Sequence, residues 1–291
     1  MGNETGIEWT DHTFNPVWGC TKISPGCTNC YAETFDKRIG GDHWKGHAGG
    51  VGYRTFGEAH WKEPMKWQAE AAAAGRRDLV FCASMADWAD SNGPASERAK
   101  LWALIRQTPN LVWQLLTKRA DNIVRFLPPD WGSGYANVWL GVTVEDRKYG
   151  LPRVDVLRRI PAAVRFLSVE PLLESVKGIN LEGIHWVITG GESGPRCRPM
   201  AAEWVREVHE ATRRQGVAHF FKQYGHVRNN PLYELATGGH REREAQVARL
   251  DPHGKGGSKL DGQMWREFPR GWSRGTQLQW LEQPEPAAVP A

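Results

Sequence analysis

The sequence predicts an α/β protein, a partial or full parallel (β/α) barrel with an irregular C-terminal extension. Three observations carry this. Six short apolar runs recur along the chain, helical patterns fall between most of them, and each run stops at a group of charged or hydroxyl-bearing residues. Near-continuous apolar runs suit strands buried on both faces, and strands alternating with helices make βαβ units. At 291 residues the chain suits either two domains or one large α/β barrel. A doubly wound open sheet is the alternative architecture.

In chain order, Thr13–Trp18 is a short first strand leading into a group of cysteines. A helix over Asn29–Ile39 stops at Gly40-Gly41. The next, Pro64–Ala74, has proline in its first turn and ends at Gly75. Strand Leu79–Met85 precedes helix Ser96–Gln107, which starts at a serine cap and carries Leu101, Trp102, Leu104 and Ile105. Strands Leu111–Thr117 and Asn137–Val144 are followed by helices Arg119–Leu127 and Pro152–Ile160. Strands Val164–Glu170, His185–Gly191 and Val217–Lys222 complete the set. Helix Ala201–Gln215 puts Trp204, Val205, Val208 and Ala211 on one face and ends at Gly216.

Residues 225–291 lack an apolar period and are rich in Gly, Pro, Arg and His. The chain therefore divides into a barrel domain over 1–224 and a cap or extension over 225–291, with Gln283–Ala291 read as a frayed end. Nine basic against eight acidic residues in this segment exclude a polybasic arm.

The net charge of +4 permits a polyanionic partner without demanding one. A composition of 40% hydrophobic and 24% charged residues is that of a globular protein. No apolar run approaches the roughly 18 residues of a membrane span, and Met1–Thr10 lacks the pattern of a secretory signal. A cytoplasmic location is expected. Most of the fifteen tryptophans are read as packing residues.

Five cysteines argue against a fully paired disulfide framework. Cys20, Cys27 and Cys30 form a C-x6-C-x2-C group, while Cys82 and Cys197 are scattered. Pro25 and Gly26 bend the chain so that the three thiols converge, and a helix starting at Cys30 favours its thiolate. Two metals suit such a group. Structural zinc needs a fourth ligand, from Cys82, Cys197, His12 or His43. A [4Fe–4S] cluster on three cysteines leaves one iron open.

Polar groups recur at the strand ends. They are Ser84 and Asp87; Thr117, Lys118 and Arg119; Thr143, Glu145 and Asp146; Ser168 and Glu170; Gly190, Gly191, Glu192, Ser193 and Gly194; and Lys222 and Gln223. A parallel barrel gathers them at one rim, where barrel enzymes carry their sites. Since an isolated buried ion costs several kcal/mol, these groups either pair with each other or face a polar ligand. The glycine segment lacks both phosphate-loop spacings. Its adjacent glycines allow close backbone approach to a ligand.

Together with the cysteine group, Ile7-Glu8-Trp9-Thr10, Thr13-Phe14-Asn15-Pro16, Leu116-Thr117-Lys118-Arg119, Trp139-Leu140-Gly141-Val142, Phe166–Leu172, Gly190–Gly194 and Phe221-Lys222-Gln223 resemble a phage and bacterial three-cysteine-motif family related to radical S-adenosylmethionine (SAM) enzymes. The resemblance spans roughly residues 5–225. The spacing is wider than the C-x3-C-x2-C common in radical SAM enzymes. The resemblance implies a barrel of the radical SAM type, a [4Fe–4S] cluster and SAM as cofactors, and an electron donor such as flavodoxin or ferredoxin. It implies the host cytoplasm as location if phage-encoded. Some phage members are tied to thymidine hypermodification, which serves evasion of restriction. There a glycine N-linked at the thymine methyl is isomerised to one linked through its α-carbon.

The leading functional reading is a radical SAM isomerase acting on phage DNA or a modified thymidine. Cys20, Cys27 and Cys30 hold the cluster. Ser84, Asp87, Thr143, Glu145, Ser168, Glu170, Gly190, Gly191, Glu192 and Ser193 contact SAM. Lys118, Arg119 and Lys222 hold a substrate carboxylate or phosphate, and surface tryptophans and basic residues hold DNA with the base unstacked. The alternatives are a zinc-stabilised nucleic-acid-binding module without chemistry, or a radical SAM enzyme on another substrate, such as a small metabolite or a protein.

Overall fold

Seven strands form one all-parallel sheet whose spatial order is the chain order. They are β1 (His12–Phe14), β2 (Asp78–Cys82), β3 (Leu111–Thr117), β4 (Val138–Thr143), β5 (Val164–Val169), β6 (Trp186–Gly190) and β7 (Ala218–Gln223). This computed structural model describes residues 5–45, 52–194, 196–253 and 255–272. A doubly wound sheet reverses its strand order at a switch point; here there is no reversal. Right-handed crossovers between successive parallel strands then place the helices on one face.

Of the helices, α1 (Tyr31–Arg38) packs apart in a small cluster with Trp18 and Met85, and those on that face are α2 (Glu58–Trp61), α3 (Glu63–Ala73), α4 (Ala95–Gln107), α5 (Ile123–Phe126), α6 (Gly150–Arg158) and α7 (Ala202–Gln215). The outer sheet face, with Val80, Leu115, Leu140, Val169 and Phe221, packs on Trp67, Leu101, Val154 and Val205 of the helices. The alternate residues Phe81, Val112, Trp139, Phe166, Trp186 and Phe220 form a second core with Trp9 on the concave side, joined by Phe268 and Trp272. Aromatic side chains thus fill the lumen of a partial barrel. Gly141 makes room there, since a Cβ would lie 2.3 Å from the Phe166 ring.

The barrel is open between β1 and β7, which are the two ends of the sheet. Chain beyond residue 264 covers the free edge of β7. Phe221 N donates to Trp265 O at 2.9 Å and Glu267 N to His219 O at 3.0 Å. Glu8 closes the gap by pairing with Arg266 and His253, each at 3.0 Å. Residues 225–264 contain α8 (Leu232–Leu235), α9 (His240–Leu250) and a hairpin, β8 (Lys259–Leu260) with β9 (Gln263–Met264). Helix α9 gave no apolar period because Val247 is its one buried residue.

Local departures from the sequence reading have physical causes. The serine cap of α4 is absent: Pro94 is the N-cap, and Ser96 lies inside the helix, bonded to Glu97. The helix expected over Arg119–Leu127 is a 3-10 turn, Ala120–Asn122, followed by the single turn α5. Between β5 and β6 the chain covers the sheet without a helix, burying Leu172, Val176, Ile179, Leu181 and Ile184. The Gln283–Ala291 end lies outside the described residues. No described helix is long and apolar enough to cross a membrane.

Candidate metal centre and rim site

The cysteine loop, residues 19–30, leaves β1 and lies across the C-terminal rim. Three strand ends anchor it. At one end Arg119 reaches Cys20 Sγ at 3.7 Å, Thr21 O at 2.5 Å and Thr21 Oγ1 at 2.8 Å. In the middle Ser24 Oγ donates to Glu145, and Gly26 packs so close that a Cβ would lie 2.8 Å from Glu145 Oε1. At the far end Asn29 Nδ2 donates to Glu192 Oε2 at 2.9 Å and to Arg196 O at 2.8 Å. Cys30 then caps the N-terminus of α1, as its position predicted. From α1 the exposed Tyr31 hydroxyl donates to Ser84 O at 2.7 Å.

The anchors are themselves neutralised. Arg119 meets Asp87 at 3.0 Å and Asp90 at 3.1 Å. Glu145 is fully buried against Arg153. Glu192 takes Arg198 in a fork at 3.0 and 2.5 Å. Burial alone would raise the Glu192 carboxyl, but the bonds from Arg198 and Asn29 outweigh it and hold the group below the usual carboxylate range. Arg119, Glu145 and Glu192, read from sequence as ligand contacts, are therefore engaged with the loop and with partner side chains. Burial of the opposite charges compels the pairing.

Glu170 is placed differently. It lies at the end of β5 on the lumen-facing parity of Phe166 and Ser168, and is only part-buried. Lys222 Nζ bonds both its oxygens, at 2.8 and 3.0 Å, and Gln223 Nε2 reaches it at 3.2 Å. Successive residues of a regular strand point to opposite faces. Here the β6–β7 register passes from Thr189–Phe221 to Gly190–Gln223, a bulge that skips Lys222 and lets both residues reach one carboxylate. Gly190 leaves space for Glu170, since a Cβ would lie 3.2 Å from its Cδ. Gly191 is needed for a different contact. A Cβ there would lie 2.2 Å from Tyr224 O, so its close approach is to the neighbouring backbone.

The other expected site residues fall on the same rim. Thr143 and Ser168 are buried in-register neighbours on β4 and β5. Ser84 is tied to Asn15 at 3.1 Å, and Asp87 accepts from Thr117 Oγ1 at 2.6 Å and Lys118 N at 3.1 Å. Lys118 is half-buried and, among the described residues, forms no ion pair. Ser193 follows Glu192 half-buried. No described tryptophan is exposed, contrary to the expected surface tryptophans; the exposed aromatics are Tyr31 and Tyr149. Tryptophan's large apolar area was recruited to the two cores and to the small cluster around Trp18 instead.

All five cysteines are free. Cys82 ends β2 with its side chain packed in the outer core rather than on the cysteine loop, and burial there pushes its thiol far up. Cys197 is half-buried, with burial and Glu192 raising its thiol. Burial raises the Cys20 thiol as well, with Asp87 adding to the rise and Arg119 opposing it. Among the described residues no three His, Cys, Asp or Glu side chains are drawn together as a metal-ion site. Cys20, Cys27 and Cys30 nevertheless fit a three-thiolate iron–sulfur cluster by donor chemistry: three free, part-buried thiols on one loop, with a guanidinium beside the first.

Sequence reading missed Arg153, Arg198, Asp90 and Ser24, the partners that complete the anchors. Arg153 lies on α6, and only the folded crossover brings it to Glu145. Gln223 was noted at a strand end but not chosen; its Oε1 is buried without a hydrogen-bond partner beside Glu170.

A family model described as a protein of unknown function (DUF5131) matches residues 4–269. A search of curated proteins gives no match. Among solved structures the chain is similar to spore photoproduct lyase complexed with dinucleoside spore photoproduct, at 10% identity and a TM-score of 0.45. That match covers 72% of this chain and 63% of the other. A double mutant of the same lyase, with bound AdoMet and dinucleoside spore photoproduct, gives 10% identity, a TM-score of 0.43 and the same coverage. The chain thus spans about 63% of the length of these structural neighbours.

Proposed function

The chain belongs to the DUF5131 family, and from that premise we propose that it is a radical SAM iron–sulfur enzyme. The observation that carries the reading is the loop bearing three free thiols, pinned across the C-terminal rim of a partial parallel barrel. Cys20, Cys27 and Cys30 would hold a [4Fe–4S] cluster. When bound, the cluster supplies the electron that splits SAM and yields a carbon radical able to abstract hydrogen.

The protein's own residues bind, orient and exclude water. Glu170, held by Lys222 and Gln223, offers carboxylate oxygens to the amino group or ribose hydroxyls of SAM. Thr143, Ser168 and the orphan Gln223 Oε1 add polar groups around it. Below them the aromatic lumen keeps water from the reacting centre. Lys118, with Lys222 beyond its pairing to Glu170, would hold a substrate carboxylate. Tyr149, with Lys148 over its ring at 5.3 Å, and Tyr31 supply exposed aromatic surface near the mouth for a nucleic acid.

The substrate we favour is thymine in phage DNA, or a modified thymidine, bearing a glycine adduct. The product carries the same atoms with the glycine joined through its α-carbon. An electron donor such as flavodoxin or ferredoxin would serve the cluster in the bacterial cytoplasm. The test has two stages. Anaerobic reconstitution with iron and sulfide should give a broad visible absorbance; a colourless chain holding one zinc would favour the non-catalytic binding module. DNA carrying the adduct, digested after incubation with reduced cluster-loaded protein and SAM, should give a product of unchanged mass with shifted retention and altered fragmentation. An unshifted peak removes the thymine assignment.

A further inference from the structure

Arg119 and Asp90 are the most heavily bonded pair of side chains on the rim. Arg119 is 9% exposed, and its two terminal nitrogens meet Cys20 Sγ, Thr21, Asp87 and Asp90. Its backbone N–H is fixed by Thr117 Oγ1 at 2.8 Å. Both carboxylates are immobilised as well. Asp87 is held by Thr117 and Lys118 N, and Asp90 by Thr21 N at 3.0 Å and Tyr53 OH at 2.7 Å. A guanidinium so enclosed has no fork free for a substrate carboxylate. Its one unusual partner is a thiol sulfur.

We propose that Arg119 is a positioning residue of the metal centre. It orients Cys20 and raises the reduction potential of the cluster held there. This rests on the reading of Cys20, Cys27 and Cys30 as cluster ligands. Hydrogen bonds to ligand sulfurs and nearby positive charge stabilise the more negative, reduced cluster. The surroundings sharpen the effect, because without Arg119 two carboxylates face the sulfur with no cation between them. Asp90 acts with the opposite sign: removing its charge should make reduction easier.

The experiment reconstitutes the full-length chain anaerobically with iron and sulfide. It then measures iron per chain and the midpoint potential by optical or EPR redox titration, without SAM or substrate. Arg119→Met should lower the one-electron reduction equilibrium constant about tenfold, equivalent to about 59 mV. Arg119→Lys should restore part of that loss, since it keeps the charge without the fork. Asp90→Asn should shift the potential upward. The exposed Arg159→Gln controls for a general change of charge. If Arg119→Met does not fold, Arg119→Lys and Asp90→Asn carry the test through their opposite signs. Cluster-loaded variants with wild-type potential would overturn this proposal and leave the cluster reading standing. A wild-type chain that takes up no iron would overturn both.

Discussion

Glu145 and Glu192 on one side, and Glu170 on the other, are the same residue type at equivalent strand ends of one rim, yet they do different work. The first two are buried, matched to Arg153 and Arg198, and joined to the cysteine loop through Ser24 and Asn29. Among the described residues Glu170 forms no hydrogen bond or ion pair with that loop. It is part-exposed, held by Lys222 and Gln223 on the neighbouring strand, and beside an unpartnered amide oxygen. Two carboxylates secure the cysteine loop and one is held by the neighbouring strand. The lesson is that a charged strand end marks the rim but not the partner, which is fixed only on folding.

The largest effect tests whether the loop is worth securing. Cys20→Ala, Cys27→Ala and Cys30→Ala should each abolish iron incorporation, while Cys82→Ala and Cys197→Ala keep it, measured as iron per chain after anaerobic reconstitution. Cys197 is the informative control, being half-buried and close in sequence to Glu192. Iron binding that depended equally on Cys197 would make the site four-coordinate by protein and remove the open iron on which the proposed chemistry depends.

Next in size is the anchor itself. Arg153→Met leaves Glu145 charged, fully buried and without its cation, which should cost about 3–5 kcal/mol in urea unfolding. Adding Glu145→Gln to that variant should recover much of the loss, because the uncompensated charge is then gone. A loss below about 1 kcal/mol in Arg153→Met would mean that the pair does not secure this side of the rim.

Glu170→Gln should do the reverse: little change in stability, because the Lys222 pair is part-exposed, but weaker SAM binding. Loss of one charged hydrogen bond of about 1.5–3 kcal/mol corresponds to roughly 10- to 100-fold in affinity. Isothermal titration of the cluster-loaded protein measures it. Unchanged affinity with reduced stability would place Glu170 with the anchors and erase the distinction.

The sheet was legible because its strands are buried on both faces and read as apolar runs; β3, Leu111–Thr117, matches the expected bounds residue for residue. The C-cap of α7 was equally clear, since Gly216 adopts the left-handed conformation that favours glycine. The spacing placed Cys20, Cys27 and Cys30 on one loop, but the expected convergence of their thiols is not seen as a metal-ion group among the described residues. What sequence did not reveal depends on which partner the folded rim selects, at short separation as well as long: Arg153 is eight residues from Glu145 and Arg198 six from Glu192, whereas Ser24 is 121 from Glu145. No spacing rule singles out Arg153 from the neighbouring Arg147 and Lys148 as the partner of Glu145, and the bulge that turns Lys222 and Gln223 onto one carboxylate leaves no local mark. The crossover between β5 and β6 buries its apolar residues without a helical period, and α9 is helical with almost no apolar face to betray it.

The smallest effect distinguishes the two buried anchors from each other. Glu145 faces Arg153 with both side chains buried, whereas Arg198 leaves 30% of its side chain exposed around Glu192. The Glu192–Arg198 pair should therefore contribute at most about 1 kcal/mol. Its sign with pH follows from the lowered carboxyl. Unfolded, Glu192 titrates near about 4.3; folded, it titrates lower, so the folded state binds fewer protons in between. The stabilisation is complete above the unfolded value and is lost as pH falls through the folded one. Arg198→Gln should then destabilise the protein near neutral pH, and the gap from wild type should narrow progressively below about pH 4. Urea unfolding of both proteins across that range measures the gap. A gap independent of pH would mean that Arg198 contributes through packing of its stem, and that the far end of the loop is held by Asn29 rather than by charge.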